Sequence, residues 1–205
     1  IFLDDVQNVI RSSLSFLTTP GAMESIGRFI SHDYETFSHS VHVFTYTMML
    51  MHCLEEEWKE ETLVDVGVGA LFHDIGKTHI PASVLNKPGR LNNAEWEQIK
   101  LHPVHGMRMC TNVSLSHMSL NCILFHHEKI DGSGYPSGMS GEEIPVPVRV
   151  LTCCDVYDAI TSKRPYAPAR SAFEALKIMG GEMKGALDQR VFKSFIKVLG
   201  KSSGE

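Results

Sequence analysis

Residues 71–81, LFHDIGKTHIP, put two metal-capable side chains at the end of an apolar helical run. The run extends from Val64 to Ile75, and His73 and Asp74 stand side by side near its close. Lys77 follows three residues after Asp74, one helical turn on and on roughly the same face. Gly76 and Pro81 predict where the helix stops. A metal ligand, a carboxylate able to bridge two metals and a cation suited to a phosphate thus fall within five residues. Taken alone, the pair reads as the solvated polar cap of an ordinary helix. The histidines along the rest of the chain overturn that reading.

Apolar residues recur at spacings of three and four, with no alternating strand pattern of useful length and no internal repeat. The spacing predicts helices over 1–17, 22–30, 34–57, 61–75, 94–101, 103–112, 116–127, 147–162, 171–180 and 188–199, so the fold class is all-α. Asn92 or Asn93 caps one of them, and Pro103 sits at a tolerated first-turn position of the next. Residues 129–147, KIDGSGYPSGMSGEEIPVP, form a long loop. Its aromatic and apolar content argues against disorder, and loops of this length in compact domains are usually functional. Residues 1–30 read as an N-terminal helical segment, either an ordinary packing helix or a linker from an upstream sensory domain. An excised piece of a longer protein fits the start at Ile1 without Met. The apolar first helix could also pair in a homodimer. Residues 31–200 read as one domain and 201–205 as a tail.

Histidine is the outlier in composition, at eleven of 205 residues, and it is the commonest metal-ligating side chain. The formal net charge of −5 argues against a nucleic-acid polymer as partner. Five cysteines form no C-x-x-C pair and sit in apolar stretches, which predicts reduced core residues in a cytoplasmic protein. No apolar run approaches the roughly 18 residues of a membrane span, and no signal peptide is present.

Eight polar residues then stand out: Glu35, His39, His73, Asp74, His102, His126, His127 and Asp155. Most lie near a helix end beside an apolar run, where burial without a partner costs about 1–3 kcal/mol per group. Five imidazoles and three carboxylates on separate helices are best satisfied by shared metal ions, as helical bundles commonly arrange. Histidine and carboxylate without cysteine suits Fe, Mn or catalytic Zn. Eight ligands exceed one ion's needs, and Asp74 is the natural bridge between two. Two ions about 3.5–4 Å apart can hold a hydroxide nucleophile and clamp a phosphoryl group. His42, His52 and His105 read as structural, Asp158 as a carboxylate orienting a ligand, and Arg149 as an ion-pair partner.

The segments ETFSHS (35–40), HDIGKTHIP (73–81), LHPVHG (101–106), HHEKIDGSGYP (126–136), GEEIPVPVRVL (141–151) and DVYDAITSKRPY (155–166) resemble, in order and spacing, the HD-GYP phosphodiesterases of the HD superfamily. The resemblance implies an all-α HD-domain bundle with a metal centre in its core. It implies hydrolysis of the bacterial second messenger cyclic di-GMP to linear pGpG and, in many members, GMP. His39, His73, Asp74 and Asp155 would hold one ion and Asp74, His102, His126 and His127 a second. Glu35 occupies the position that in some members binds a third. Iron is expected, with manganese as the alternative.

Asp74 and Lys77 would carry the chemistry, and Lys77 and Arg164 would meet the phosphates. Gly134, Tyr135 and Pro136 would line the guanine pocket, with Gly132 and Gly134 allowing turns and close ligand approach. Tyr135 offers either a ring for a purine or an anchor for the loop. Three departures stand beside this pattern: His42 where members usually carry Arg, Ile130 before Asp131-Gly132, and Ala167-Pro168 where many place a basic residue. The last of these leaves open a cyclic dinucleotide-binding module with little turnover, sensing the nucleotide or docking on a diguanylate cyclase, and a preference for cyclic GMP-AMP is the close substrate alternative.

Overall fold

The computed structural model describes residues 34–54, 57–111, 114–162 and 169–201. The predicted helices at 1–17 and 22–30, with the linker and dimer roles attached to them, lie outside these residues, as do Arg164 and Ala167-Pro168. In chain order the elements are α1 (Tyr34–Cys53), α2 (Glu60–Phe72), a 3-10 turn (Ile75–His79), α3 (Ala82–Leu85) and α4 (Asn93–Ile99). Then come α5 (His102–Cys110), α6 (His117–Phe125), a second 3-10 turn (Gly141–Glu143), α7 (Val146–Thr161), α8 (Ala172–Gly180) and α9 (Gln189–Lys201). Among the described residues the β pairing is a single isolated bridge between Asp131 and Ser140, so the fold is all-α.

Helix α2 is apolar nearly all round, and such a helix is stable only when enclosed. Val66, Gly67, Val68, Gly69, Ala70 and Phe72 are all buried, between α1, α6 and α7. Gly69 permits the close approach to α6, since a Cβ there would lie 2.4 Å from Cys122 Cβ. The main core joins Leu50 and Met51 of α1, Val66 of α2, Val148 and Leu151 of α7 and Phe195 of α9. Each such side chain stabilises the fold by about 1.5–3 kcal/mol. A smaller cluster, Val68, Phe72, Ile75, Cys110 and Ile123, underlies α5. Among the described residues no helix is long and apolar enough to cross a membrane.

Helix boundaries correct the sequence reading, and α1 ends at Cys53 rather than at residue 57. Helix α2 ends at Phe72 rather than Ile75, with His73 as its C-cap and Asp74 opening the 3-10 turn. Gly76 is no helix stop: a Cβ there would fall 2.0 Å from the carbonyl oxygen of His102, so glycine is what lets the turn pass against α5. The cap of α4 is Asn92, in a reciprocal capping box with Glu95. All five cysteines are free. Four are buried, and burial pushes the Cys110 thiol up to about 11 and those of Cys122 and Cys153 up to about 12. Cys53, predicted to be a core residue, is exposed near the end of α1.

Candidate metal centre

Seven of the eight predicted ligands converge. His39 comes from α1, His73 and Asp74 from the end of α2, His102 from the first residue of α5, His126 and His127 from just past α6, and Asp155 from α7. Six are at most 5% exposed, and His127 is the partly open one. The side chain of Glu35 lies outside the described residues.

One local device repeats three times. His73 donates its Nδ1–H to the Ala70 carbonyl at 2.7 Å, His102 to Ile99 at 2.7 Å and His126 to Ile123 at 2.9 Å. Each acceptor is the carbonyl three residues back, one of the groups that a helix end leaves without an amide partner. The bond fixes the tautomer and turns the Nε2 lone pair inward. His39 achieves the same through Asp158, whose Oδ2 accepts its Nδ1–H at 2.6 Å.

Asp74 stands at the middle. Its Oδ1 is 3.2 Å from His102 Nε2 and 3.9 Å from His126 Nε2. Its Oδ2 is 3.4 Å from His73 Nε2, 3.6 Å from His39 Nε2 and 2.5 Å from Lys77 Nζ. Two donor clusters, Asp74–His102–His126–His127 and His39–His73–Asp74, therefore share this one carboxylate. Asp155 borders both, with Oδ1 3.0 Å from His39 Nε2 and Oδ2 3.7 Å from His127 Nδ1.

These donors fit metal ions. His73 Nε2 and Asp74 Oδ1 are buried without a hydrogen-bond partner. His102 Nε2 and His126 Nε2 face each other at 3.1 Å, although both rings have already given their Nδ1–H to carbonyls. Lone pair opposes lone pair, and each unsatisfied buried group costs about 1–3 kcal/mol. Protonation is disfavoured at His126, where burial and the neighbouring His127 and His73 hold the imidazole well below its ordinary range. Burial likewise lowers His127 to about 3. Burial opposes ionisation of Asp74, but Lys77 and His73 outweigh it and hold the carboxyl well below the usual carboxylate range. An ionised carboxylate shared by imidazoles whose Nδ1–H groups are already committed, with no thiolate in either cluster, is a donor set for divalent cations.

The long loop is tied onto this centre. Glu128, to which the sequence reading gave no role, is 1% exposed and accepts the backbone N–H of Ser137 at 2.7 Å and of Met139 at 3.0 Å. Its position directly after two ligands in an apolar setting was the available signal. The Tyr135–Pro136 peptide is cis, and the Tyr135 ring lies against that of His127 at 4.7 Å. At Gly134 a Cβ would sit 2.5 Å from Glu128 Cα, so glycine lets the loop pack closely against the chain's own backbone. Three of the residues read as structural have partners within the protein. His42 Nδ1 is 3.2 Å from Asp158, His105 stacks on His79 at 5.6 Å, and Arg149 pairs with Asp188 at 3.0 Å.

Residues 6–191 match the HD domain family model. The cyclic di-GMP phosphodiesterase PA4108 of Pseudomonas aeruginosa is 40% identical over 191 residues, which are 92% of this chain and 45% of that protein. The 3'3'-cGAMP-specific phosphodiesterase 3 of Vibrio cholerae is 34% identical over 164 residues, 80% of this chain and 35% of that one. The chain thus spans less than half the length of these relatives. Among solved structures, Bd1817, a HDG"Y"P protein from Bdellovibrio bacteriovorus, shares the fold with a TM-score of 0.68 at 20% identity, over 80% of this chain and 52% of that one. The chain belongs to the HD domain family, and the signature it carries is that of the HD-GYP branch.

Proposed function

We propose that this chain is the catalytic part of a metal-dependent phosphodiesterase that hydrolyses cyclic di-GMP to linear pGpG, and onward to GMP. The observation that carries the reading is the shared carboxylate: Asp74 lies between two clusters of buried donor atoms placed to hold cations. Iron is the favoured metal and manganese the alternative. His39, His73, Asp74 and Asp155 would hold one ion, Asp74, His102, His126 and His127 the second, and Glu35 a third. Ions held there supply Lewis acidity toward a phosphodiester and an activated water.

The chain's own residues do the rest. Carbonyls and Asp158 hold the imidazoles in the ligating tautomer. Lys77, beside Asp74 and partly open, offers a cation to a non-bridging phosphate oxygen, as would Arg164. The Gly134–Pro136 loop covers the His127 side and would border the base. We take residues 31–200 as the catalytic unit, with 1–30 leading into it. Five free cysteines favour a cytoplasmic setting.

A second substrate, 3'3'-cGAMP, is favoured by the Vibrio cholerae relative of that specificity. The test is metal content of anaerobically purified protein, with turnover of cyclic di-GMP and 3'3'-cGAMP on the same sample. Two or three ions per chain with faster cyclic di-GMP hydrolysis supports the proposal. Faster 3'3'-cGAMP hydrolysis reassigns the substrate. A full metal complement with neither reaction overturns the enzymatic reading in favour of a binding module.

A further inference from the structure

Helix α4 carries a tryptophan that the fold does not bury. Trp96 is 46% exposed, and no residue of α4 is fully buried. The helix is nonetheless held firmly around it. Asn92 and Glu95 close a capping box, and both oxygens of Glu95 accept from Lys87 Nζ, at 2.8 and 2.7 Å. The Trp96 carbonyl accepts the N–H of Lys100, two residues before the ligand His102. Polar bonds thus fix the helix that carries the indole, which the core does not bury.

The indole is the outer member of a row of rings that begins at the metal centre. Tyr135 lies 4.7 Å from His127 and 6.5 Å from His102, and Trp96 lies 6.4 Å from Tyr135 at an interplanar angle of 79°. Tyr135 is occupied by its imidazole neighbour, whereas Trp96 keeps much of its surface in solvent. Two rings nearly at right angles make an aromatic corner. A planar heterocycle can stack on one wall and turn its edge to the other. A nucleobase is such a group, and base–aromatic stacking tolerates any base because all have a π-face.

We propose that Trp96 is a base-stacking residue of the substrate cleft, taking a purine of the cyclic dinucleotide whose phosphodiester meets the metal centre. The inference rests on the phosphodiesterase reading above. It assigns to α4 a part in substrate affinity and none in the chemical step.

The test compares metal-loaded wild type with Trp96→Ala and Trp96→Phe in steady-state hydrolysis of cyclic di-GMP. It adds stopped-flow tryptophan fluorescence of a Trp58→Phe variant, in which Trp96 is the remaining tryptophan. Trp96→Ala is expected to raise KM about tenfold, the lower range for loss of one stacked base, with kcat and metal content held within about twofold. Trp96→Phe should recover most of the affinity, and cyclic di-GMP should quench the Trp58→Phe signal. Unchanged KM in Trp96→Ala, together with no quenching, overturns the proposal while leaving the enzyme assignment intact. If the metal-loaded wild type turns over nothing, the phosphodiesterase reading fails separately. Quenching then still supports base stacking at Trp96, and its absence overturns it.

Discussion

Glu128 and Ser137 are joined by a 2.7 Å hydrogen bond from the backbone N–H of Ser137 to a carboxylate oxygen of Glu128, and the second oxygen takes Met139 N–H at 3.0 Å. A residue adjacent to the candidate ligand His127 thereby closes the loop that presents Tyr135. Glu128→Gln keeps the shape but offers one acceptor and an NH2 group, which would face an amide N–H. One buried donor is then left unmet, at about 1–3 kcal/mol. Urea unfolding should show that loss, and limited proteolysis should cut sooner within 131–140. An unfolding midpoint equal to wild type would refute the clasp.

Metal removal is expected to destabilise the fold, because His73 Nε2 and Asp74 Oδ1 have no other buried partner. At free metal about a hundred times Kd, binding contributes about 2.7 kcal/mol. For a domain of this size that corresponds to about 5–11 °C in Tm. Thermal melts with and without chelator measure it. A melting temperature indifferent to chelator would remove the metal centre from the fold's stability.

Much of this was legible in the sequence. His73, Asp74, His102, His126 and His127 could be grouped because polar side chains at the ends of apolar helices have few other ways to be satisfied, whereas His39 and Asp155 stand inside α1 and α7 and were visible as polar residues beside apolar runs. Helices α2, α6 and α7 showed themselves through their apolar runs. Contacts between segments distant in sequence were not legible. Nothing local to Gly76 shows that its missing Cβ makes room for the His102 carbonyl, so it read as a stop signal. Trp96 drew no reading of its own, since its neighbour Tyr135 is 39 residues away along the chain. Glu128 was visible but its partners are backbone amides, which leave no mark in a sequence.

Gly76 can be tested directly. In Gly76→Ala the new methyl would lie 2.0 Å from His102 O and 2.4 Å from Gly106 N, both backbone atoms that no rotamer change can move. Overpacking of this kind costs about 1–3 kcal/mol or more, and here it pushes on the backbone of His102 itself. Lower Tm together with reduced metal content is expected. Gly200→Ala is the control: nothing lies within 4 Å of its Cβ position, and the change within α9 should be neutral or stabilise by up to about 1 kcal/mol. Equal effects of the two substitutions would contradict the steric account.

Asp158 holds two imidazoles, His39 at 2.6 Å and His42 at 3.2 Å, and also accepts from Ser162 Oγ at 2.9 Å. In Asp158→Asn the amide still offers one oxygen but no charge, so the His39 ring is less firmly oriented and less basic. Loss of such a supporting carboxylate lowers metal affinity by about 10–100-fold. Competition with a chromophoric chelator reads this out, and His42→Ala should shift it far less, since His42 touches only the outer oxygen. A larger effect from His42→Ala would reverse the assignment.

Arg149 and Asp188 give the fold an acid-sensitive tie between α7 and α9. Asp188 Oδ2 accepts from Arg149 Nη1 at 3.0 Å, while Oδ1 accepts the N–H groups of Arg190 at 2.9 Å and Val191 at 3.2 Å. Partial burial opposes ionisation, but these partners outweigh it and hold the carboxyl below its ordinary range. A group whose folded pKa is depressed contributes its stability fully above the unfolded value of about 3.9 and loses it as pH falls through the folded value. Because the pair is partly solvated, the contribution at neutral pH is at most about 1 kcal/mol. Asp188→Asn should therefore unfold at lower urea than wild type at pH 7 and at pH 5, and the gap should narrow at pH 3. A gap that widens toward acid would show that the carboxylate acts through something other than its charge.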